Sequence, residues 1–270
     1  MSVDRPLGFS TLGCPYASAE EVAALAVRYG VGYVDLRAHP DGPVHVGMSV
    51  AERRRWRSVL DDAGVTVTTV ASYVRLADDA QTTSAVVDDA RRHVDLANDL
   101  GSDAVRVFTG GSPDTDTTPL ARERLSAVLE ATPDERTRIL LETHDSRPRG
   151  RDVATVLDEM PDRAAAIWDS VIAWAAGEPP EDTAPALDGR IAMVQVKDTR
   201  GTTPVLPGTG DVPLARVLAA LNGIGWQGVL SVEWERAWYP DLPPLDAALS
   251  AARSWLERSA ATAGGRALGD

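Results

Sequence analysis

Four segments of this chain share one pattern: a short apolar run ends in a polar side chain that carries an oxygen able to bind a cation. The four end residues are Glu142, Asp169, Gln195 and Glu233. The steps from 142 to 169, from 169 to 195 and from 195 to 233 are 27, 26 and 38 residues, each close to one strand–helix unit of an eight-stranded barrel. Short apolar runs of this kind are typical of buried parallel strands. The repeat therefore predicts consecutive parallel strands whose ends meet at one place.

The rest of the chain continues the alternation of strand and helix patterns, including a weak helix near residues 181–188 and an eighth strand that runs to Glu235. Capping boxes at Ser18–Glu21 and Ser49–Glu52 predict the starts of two helices. The length of 270 residues fits one barrel of ~250 residues. We therefore predict an α/β fold, a single (β/α)8 TIM barrel over residues 1–259, followed by a flexible tail over 260–270. A doubly wound open sheet is the alternative, but it rarely contains eight strands in so few residues.

Charge and cysteine content restrict the partners of the protein. Forty acidic and 27 basic residues give a net charge of −13, which disfavours binding to nucleic acid or to an anionic membrane. The N-terminus lacks a secretory signal pattern, and no apolar run reaches membrane-spanning length. The single cysteine, Cys14, suits a reducing compartment. We expect a cytoplasmic protein with a small-molecule substrate. Whether it forms a homodimer is left open by the sequence.

The four strand ends could form a metal site. Three carboxylates crowded at the barrel mouth would repel each other unless a cation lies between them. All four ligand atoms would be oxygens, which favours one hard divalent ion, Mn²⁺ in preference to Mg²⁺ or Co²⁺. The alternative for any single carboxylate is a buried ion pair, for example Glu142 with Lys197 or Arg106.

Further residues near the predicted mouth are candidates for contact with a substrate. His144 shares a strand face with Glu142 and could relay a proton, and Lys197 could stabilise an enolate oxygen or pair with Glu235. The other candidates for substrate binding are side chains that could pair with a polar group or stack on a sugar ring: Arg37, Tyr73, Arg106, Trp168, Glu235 and Trp238.

The chain resembles the sugar phosphate isomerase/epimerase superfamily, the xylose isomerase-like TIM barrels. The resemblance rests on five motifs: Leu141-Glu-Thr-His-Asp145, Trp168-Asp169, Val194-Gln-Val-Lys-Asp198, Gly208-Thr-Gly-Asp211 and Ser231-Val-Glu-Trp-Glu235. It implies that Glu142, Asp169, Gln195 and Glu233 bind one divalent metal. It also implies that Glu142 and Glu233 act as an acid–base pair in an isomerase or epimerase that works through an enediolate. No phosphate-binding pattern is evident in the chain.

Two departures from the family pattern leave other functions open. Many relatives have histidine where this chain has Gln195, and the resemblance to dehydratase-type members makes a metal-dependent dehydratase or lyase the alternative. Relatives also carry Asp-x-x-His where this chain has Asp169-Ser-Val-Ile172. This predicts a substrate with an apolar portion near strand six, against Trp168 and Trp174, or a catalytically degenerate binding protein. A DNA-repair nuclease like the type IV AP endonucleases is disfavoured, because the chain has only four histidines.

Overall fold

Eight parallel strands close into one barrel in the computed structural model, which describes residues 5–266. The ring follows the chain order and closes where the first strand pairs with the last, with Phe9 opposite Val232. The eight barrel strands are β1 Leu7–Ser10, β2 Tyr33–Arg37, β3 Thr66–Arg75, β4 Ala104–Phe108, β5 Arg138–Glu142, β6 Ala164–Asp169, β7 Ile191–Val196 and β10 Val229–Val232. Two further short strands, β8 Thr199–Arg200 and β9 Thr203–Pro204, lie outside the barrel. β8 and β9 form a separate antiparallel hairpin. The predicted (β/α)8 barrel is confirmed.

Helices surround the barrel. They are α1 Ala19–Tyr29, α2 Val50–Asp62, α3 Thr83–Leu100, α4 Thr118–Ala131, α5 Gly150–Leu157, α6 Ser170–Ala175, α7 Pro180–Ala186, α8 Leu214–Gly223 and α9 Leu245–Arg266. A 3₁₀ turn, Thr11–Gly13, follows β1. The Ser18 and Ser49 side chains accept hydrogen bonds from the backbone N–H groups of Glu21 and Glu52, so both predicted capping boxes are present.

The apolar side chains form two layers, because successive strand residues face opposite sides of the sheet. The larger layer lies between the barrel and its helices and includes Trp168. A small inner layer fills the barrel and contains Ala104, Leu140, Ala165, Ile167 and Met193. Glu142, Asp169 and Gln195 each lie two residues after a member of the inner layer, so their side chains face the interior.

Several element boundaries differ from the sequence prediction. The last barrel strand ends at Val232, where a strand to Glu235 was predicted. The weak helix expected near residues 181–188 corresponds to α7, whereas α6 was not predicted. α9 continues to Arg266, and residues 267–270 lie outside the described residues, so the flexible tail stays a prediction. None of the helices within residues 5–266 is long and apolar enough to cross a membrane.

Candidate functional site

Three buried carboxylates meet at the C-terminal mouth of the barrel. Glu142 ends β5, Asp169 ends β6, and Glu233 directly follows β10. Carboxylate oxygens of the three residues lie within 4.8 Å of one another. The sequence prediction that these side chains converge is therefore correct, and oxygens at this spacing could hold one metal ion.

Gln195 joins the carboxylates from β7. Its amide nitrogen donates hydrogen bonds to Glu233 Oε1 at 3.0 Å and to Glu142 Oε2 at 3.4 Å. Its amide oxygen is buried and has no hydrogen-bond partner among the described residues. Because an unpaired buried oxygen costs free energy, this atom is available for a cation or a substrate hydroxyl.

Two buried cations balance part of the negative charge. Lys197 Nζ lies 2.8 Å from Asp169 Oδ2 and 3.0 Å from Glu235 Oε1, and it also pairs with Glu233. Arg106 Nη1 lies 3.1 Å from Glu142 Oε2. Two of the ion pairs considered from the sequence, Arg106 with Glu142 and Lys197 with Glu235, are thus present in the same site as the converging carboxylates. The third, Glu142 with Lys197, is not among the ion pairs of the described residues, where Lys197 pairs with Asp169, Glu233 and Glu235.

Burial and neighbouring charges shift the pKa values of this cluster. Burial raises the pKa of Glu233 to about 7, helped by the charge of Glu142 and opposed by Lys197. Burial alone would lower the pKa of Lys197. The charges of Asp169, Glu233 and Glu235 outweigh this effect and hold the Lys197 pKa well above its usual value. Glu233 therefore titrates near neutral pH beside an ammonium that stays charged.

Asp169 also starts the short helix α6. Its Oδ1 accepts hydrogen bonds from the backbone N–H groups of Val171 at 2.8 Å and Ile172 at 3.1 Å. The Asp169 N–H donates to Thr143 Oγ1 at 2.9 Å. These contacts fix the orientation of the carboxylate so that Oδ2 faces Lys197. Ile172 is half-buried at the start of this helix.

Asp35 is a buried carboxyl group that the sequence analysis missed. It lies on β2, and neither of its side-chain oxygens has a hydrogen-bond partner among the described residues. Burial raises the pKa of Asp35 to about 8, with Arg106 opposing the shift and the charges of Glu233 and Glu142 adding to it. The signal in the sequence is a charged residue within an apolar strand, two positions before Arg37.

The rim of the mouth contains stacked aromatic and arginine side chains. Arg37 donates from Nε to the Tyr73 hydroxyl at 2.9 Å and from Nη1 to Asp41 Oδ1 at 2.7 Å. Its guanidinium lies 5.6 Å from the centre of the Tyr73 ring and 5.1 Å from that of Trp238. All three guanidinium nitrogens of Arg106 bond to Ser72 or Glu142. Arg106 therefore positions Glu142, and its role in binding substrate stays a prediction.

His144 lies at the rim, beyond the end of the strand. β5 ends at Glu142, and His144 pairs with Arg147 in the following turn. The His144 Nδ1 atom is 2.8 Å from Asp145 Oδ1, and the ring lies 4.6 Å from that of Phe108. Burial lowers the pKa of His144, but the Asp145 hydrogen bond and the charge of Glu142 raise it above its usual value.

The two tryptophans expected near strand six do not reach the mouth. Trp168 alternates with Asp169 along β6, so it faces the helices and is fully buried in the outer layer. Trp174 packs against the same layer and lies 5.8 Å from the Arg216 guanidinium of α8. The prediction that Trp168 binds substrate is therefore wrong on position, and so is the apolar wall predicted from both residues.

The fold and the site together define a class: a (β/α)8 barrel with a cluster of buried carboxylates where the strands end. The sequence pattern of the xylose isomerase-like TIM barrel family matches residues 23–259. The chain belongs to this family, which confirms the resemblance found in its motifs. A comparison with curated proteins gives no match.

Solved structures with similar folds include proteins described as isomerases, epimerases and a dehydratase. A D-tagatose 3-epimerase-like protein is 17% identical with a TM-score of 0.78, covering 97% of this chain and 99% of its own. The probable 3-DHS dehydratase AsbF from Bacillus anthracis is 16% identical with a TM-score of 0.76, covering 92% and 98%. The IOLI protein with a bound zinc atom is 16% identical with a TM-score of 0.77, covering 95% and 98%. At these identities the likeness shows the shared fold.

Proposed function

We propose that the protein is a divalent-metal-dependent isomerase or epimerase that acts on a polyhydroxylated, sugar-like carbonyl compound. It removes the proton next to the carbonyl group and returns a proton to the resulting enediolate. The observation that carries this proposal is the convergence of the buried carboxylates of Glu142, Asp169 and Glu233 at the mouth of the barrel. Solved structures of the same fold that are described as epimerases support it.

The residues present fit one hard divalent ion. Glu142, Asp169 and Glu233 supply carboxylate oxygens, and Gln195 supplies the buried amide oxygen that lacks a partner. The Lys197 ammonium pairs with Asp169 and Glu233 and so balances part of the negative charge of this site. We propose Mn²⁺, with Mg²⁺ or Co²⁺ as alternatives, because every ligand atom is oxygen. When bound, the ion would supply Lewis-acid polarisation of the substrate carbonyl.

The two glutamates are placed to exchange protons with a substrate. A positioned carboxyl group can take a proton from a substrate and return it, and Glu142 and Glu233 both lie at the mouth of the barrel. Arg106 and the Gln195 amide hold Glu142 in a fixed orientation. Lys197 is a permanent cation in the same site, so it can stabilise negative charge on an enediolate oxygen.

A metal-dependent dehydratase or lyase is the second candidate. The observation that favours it is the Lys197 ammonium, which contacts three carboxylates at the mouth and could hold a departing hydroxyl group. A solved structure with a similar fold, which is described as a probable 3-DHS dehydratase, supports this second candidate. Both candidates share the first step, removal of the proton next to the carbonyl. For either, we propose a small-molecule substrate and no nucleic acid, because the net charge is −13.

Exchange of the substrate α-proton in D₂O tests the proposal. Ketoses, inososes and dehydroshikimate are incubated with the Mn²⁺-loaded protein, and deuterium incorporation or water loss is followed by NMR. We expect exchange with at least one compound class, reduced roughly 10²–10⁴-fold in Glu142→Gln and in Glu233→Gln. Glu257→Gln, the same change at an exposed position on α9, serves as the control. Exchange unaffected by both active-site changes, or no exchange with any class, would contradict the proposal.

A further inference from the structure

An open groove lies beside the mouth and is used by none of the chemistry above. It has a volume of about 580 Å³. One wall is the β8–β9 hairpin with Thr202, Thr203 and Pro204, and the other is the segment 238–242 after β10. This volume is typical of a small-molecule site.

The groove is connected to the carboxylate cluster through Trp238. The indole ring lines the groove and also lies 5.1 Å from the Arg37 guanidinium at the mouth. The backbone N–H groups of Trp238 and Tyr239 donate to the carbonyl of Glu235, whose carboxylate contacts Lys197. Trp238 therefore belongs both to the groove and to the rim of the mouth.

The groove walls are held in place by hydrogen bonds. Trp234 Nε1 donates to the Pro243 carbonyl at 2.8 Å, and Arg236 Nε donates to the Leu242 carbonyl at 3.1 Å. On the hairpin side, the Val205 N–H donates to the Asp198 carbonyl at 2.9 Å. A groove with fixed walls can bind a ligand without first having to become ordered.

The chemistry of the lining selects an uncharged, ring-shaped group. Trp238 is 50% exposed and Tyr239 is 47% exposed, so two flat aromatic surfaces face solvent here. Among the described residues, the lining includes prolines, threonine hydroxyls and the carboxylate of Asp241, but no lysine, arginine or histidine. A phosphate or another anion would find no cation in this lining, whereas a neutral ring could stack on the aromatic faces.

We propose that this groove binds an uncharged ring at the far end of the substrate, while the carbonyl end lies at the carboxylate cluster. The inference rests on the proposed function, and it makes the substrate larger than a free six-carbon sugar. The apolar portion predicted from Ile172 is thereby placed against the β8–β9 hairpin and the segment after β10, and away from Trp168 and Trp174.

Binding of three matched ligands tests the groove: fructose, its 6-O-phenyl ether and fructose 6-phosphate. Affinities are measured by ligand-observed NMR on the Mn²⁺-loaded protein, without need for turnover. We expect the phenyl ether to bind about tenfold more tightly than fructose, because its phenyl ring is buried in the groove. We expect fructose 6-phosphate to bind no more tightly than fructose. Tyr239→Ala, which removes one aromatic wall, and Thr203→Trp, which fills the groove, should both abolish the advantage. Tyr16→Ala, at an exposed tyrosine outside the groove, should retain it.

The outcomes distinguish a failure of the groove assignment from a failure of the proposed reaction. Three results would overturn the inference. They are equal or absent binding of fructose and its phenyl ether, tighter binding of the phenyl ether that is retained in both groove variants, and binding of fructose 6-phosphate that is tighter than that of fructose. A protein dimer that Tyr239→Ala dissociates, with ligand affinities unchanged, would show that a second copy occupies the groove and would also overturn it. Absence of α-proton exchange with the phenyl advantage intact would refute the proposed reaction and leave the groove assignment standing.

Discussion

The buried position of Asp35 in the barrel determines the protonation state of its carboxyl group. Its carboxyl group is fully buried without a hydrogen-bond partner among the described residues, and its pKa is raised to about 8 by burial. The folded protein therefore keeps a proton that the unfolded chain releases above about pH 4. Since the folded state binds more protons in this window, Asp35 makes the protein less stable as pH rises from about 4 to 8.

Asp35→Asn should remove this pH dependence, because the amide imitates the neutral acid. We expect the variant to gain stability relative to the wild type as pH rises from 5 to 8, by up to about 1.4 kcal/mol per pH unit. Urea unfolding of both proteins at each pH measures the difference, with Asp188→Asn as the exposed control. A constant difference between wild type and Asp35→Asn across this range would show that Asp35 is ionised in the folded protein.

At the residue scale, the sequence predicts the members of the cluster better than their contacts. Glu142, Asp169, Gln195 and Glu233 could be recognised because each ends an apolar run at a regular spacing. Asp35 carries a weaker signal, because Arg37 follows on the same strand and obscures where the run ends. The ion pairs of the cluster join strands that are distant in sequence, so the sequence could offer them only as alternatives.

Asp198 organises the segment between the hairpin and α8. Its carboxylate accepts hydrogen bonds from the N–H groups of Thr199, Gly208, Gly210 and Val212. Gly210 approaches so closely that an added Cβ would overlap Asp198 Oδ1 and the Thr199 carbonyl. This contact explains why the Gly208–Asp211 motif contains a glycine at position 210.

Gly210→Ala should destabilise the protein by roughly 1–3 kcal/mol, because the loop must move away from Asp198. Gly223→Ala is the matched control, since an added Cβ at the end of α8 would meet no atom within 4 Å. There we expect no loss, and a gain of up to about 1 kcal/mol from higher helix propensity. Thermal unfolding compares the two variants, and equal stability of both would refute the role given to the close contact.

At the element scale, local sequence signals predict the long helices but miss the short helix α6 and the β8–β9 hairpin. The capping boxes at Ser18 and Ser49 start α1 and α2 as predicted. α6 was missed because its cap is Asp169, which the sequence pattern had already assigned to the end of β6. The β8–β9 hairpin was missed because its strands have two residues each.

At the scale of the whole molecule, the spacing of strand patterns predicts the barrel, and barrel closure brings the strand ends together. Closure pairs β1 with β10, so Asp35 on β2 comes near Glu233 although the two are far apart in sequence. The sequence could not show on which side of β6 each aromatic residue lies until the register was known. A shift of one position separates Trp168, which faces the helices, from Asp169, which faces the mouth.

We propose that closure of the barrel builds one metal site from four strands, and the metal content of the protein is the decisive measurement. Wild-type protein, Asp169→Asn, Glu233→Gln and the exposed control Glu257→Gln are equilibrated with Mn²⁺, freed of unbound ions and analysed for metal content. We predict about one ion per chain in the wild type and the control, and strongly reduced occupancy in Asp169→Asn and Glu233→Gln, because each removes a ligand charge. Occupancy equal to wild type in both variants would contradict the site.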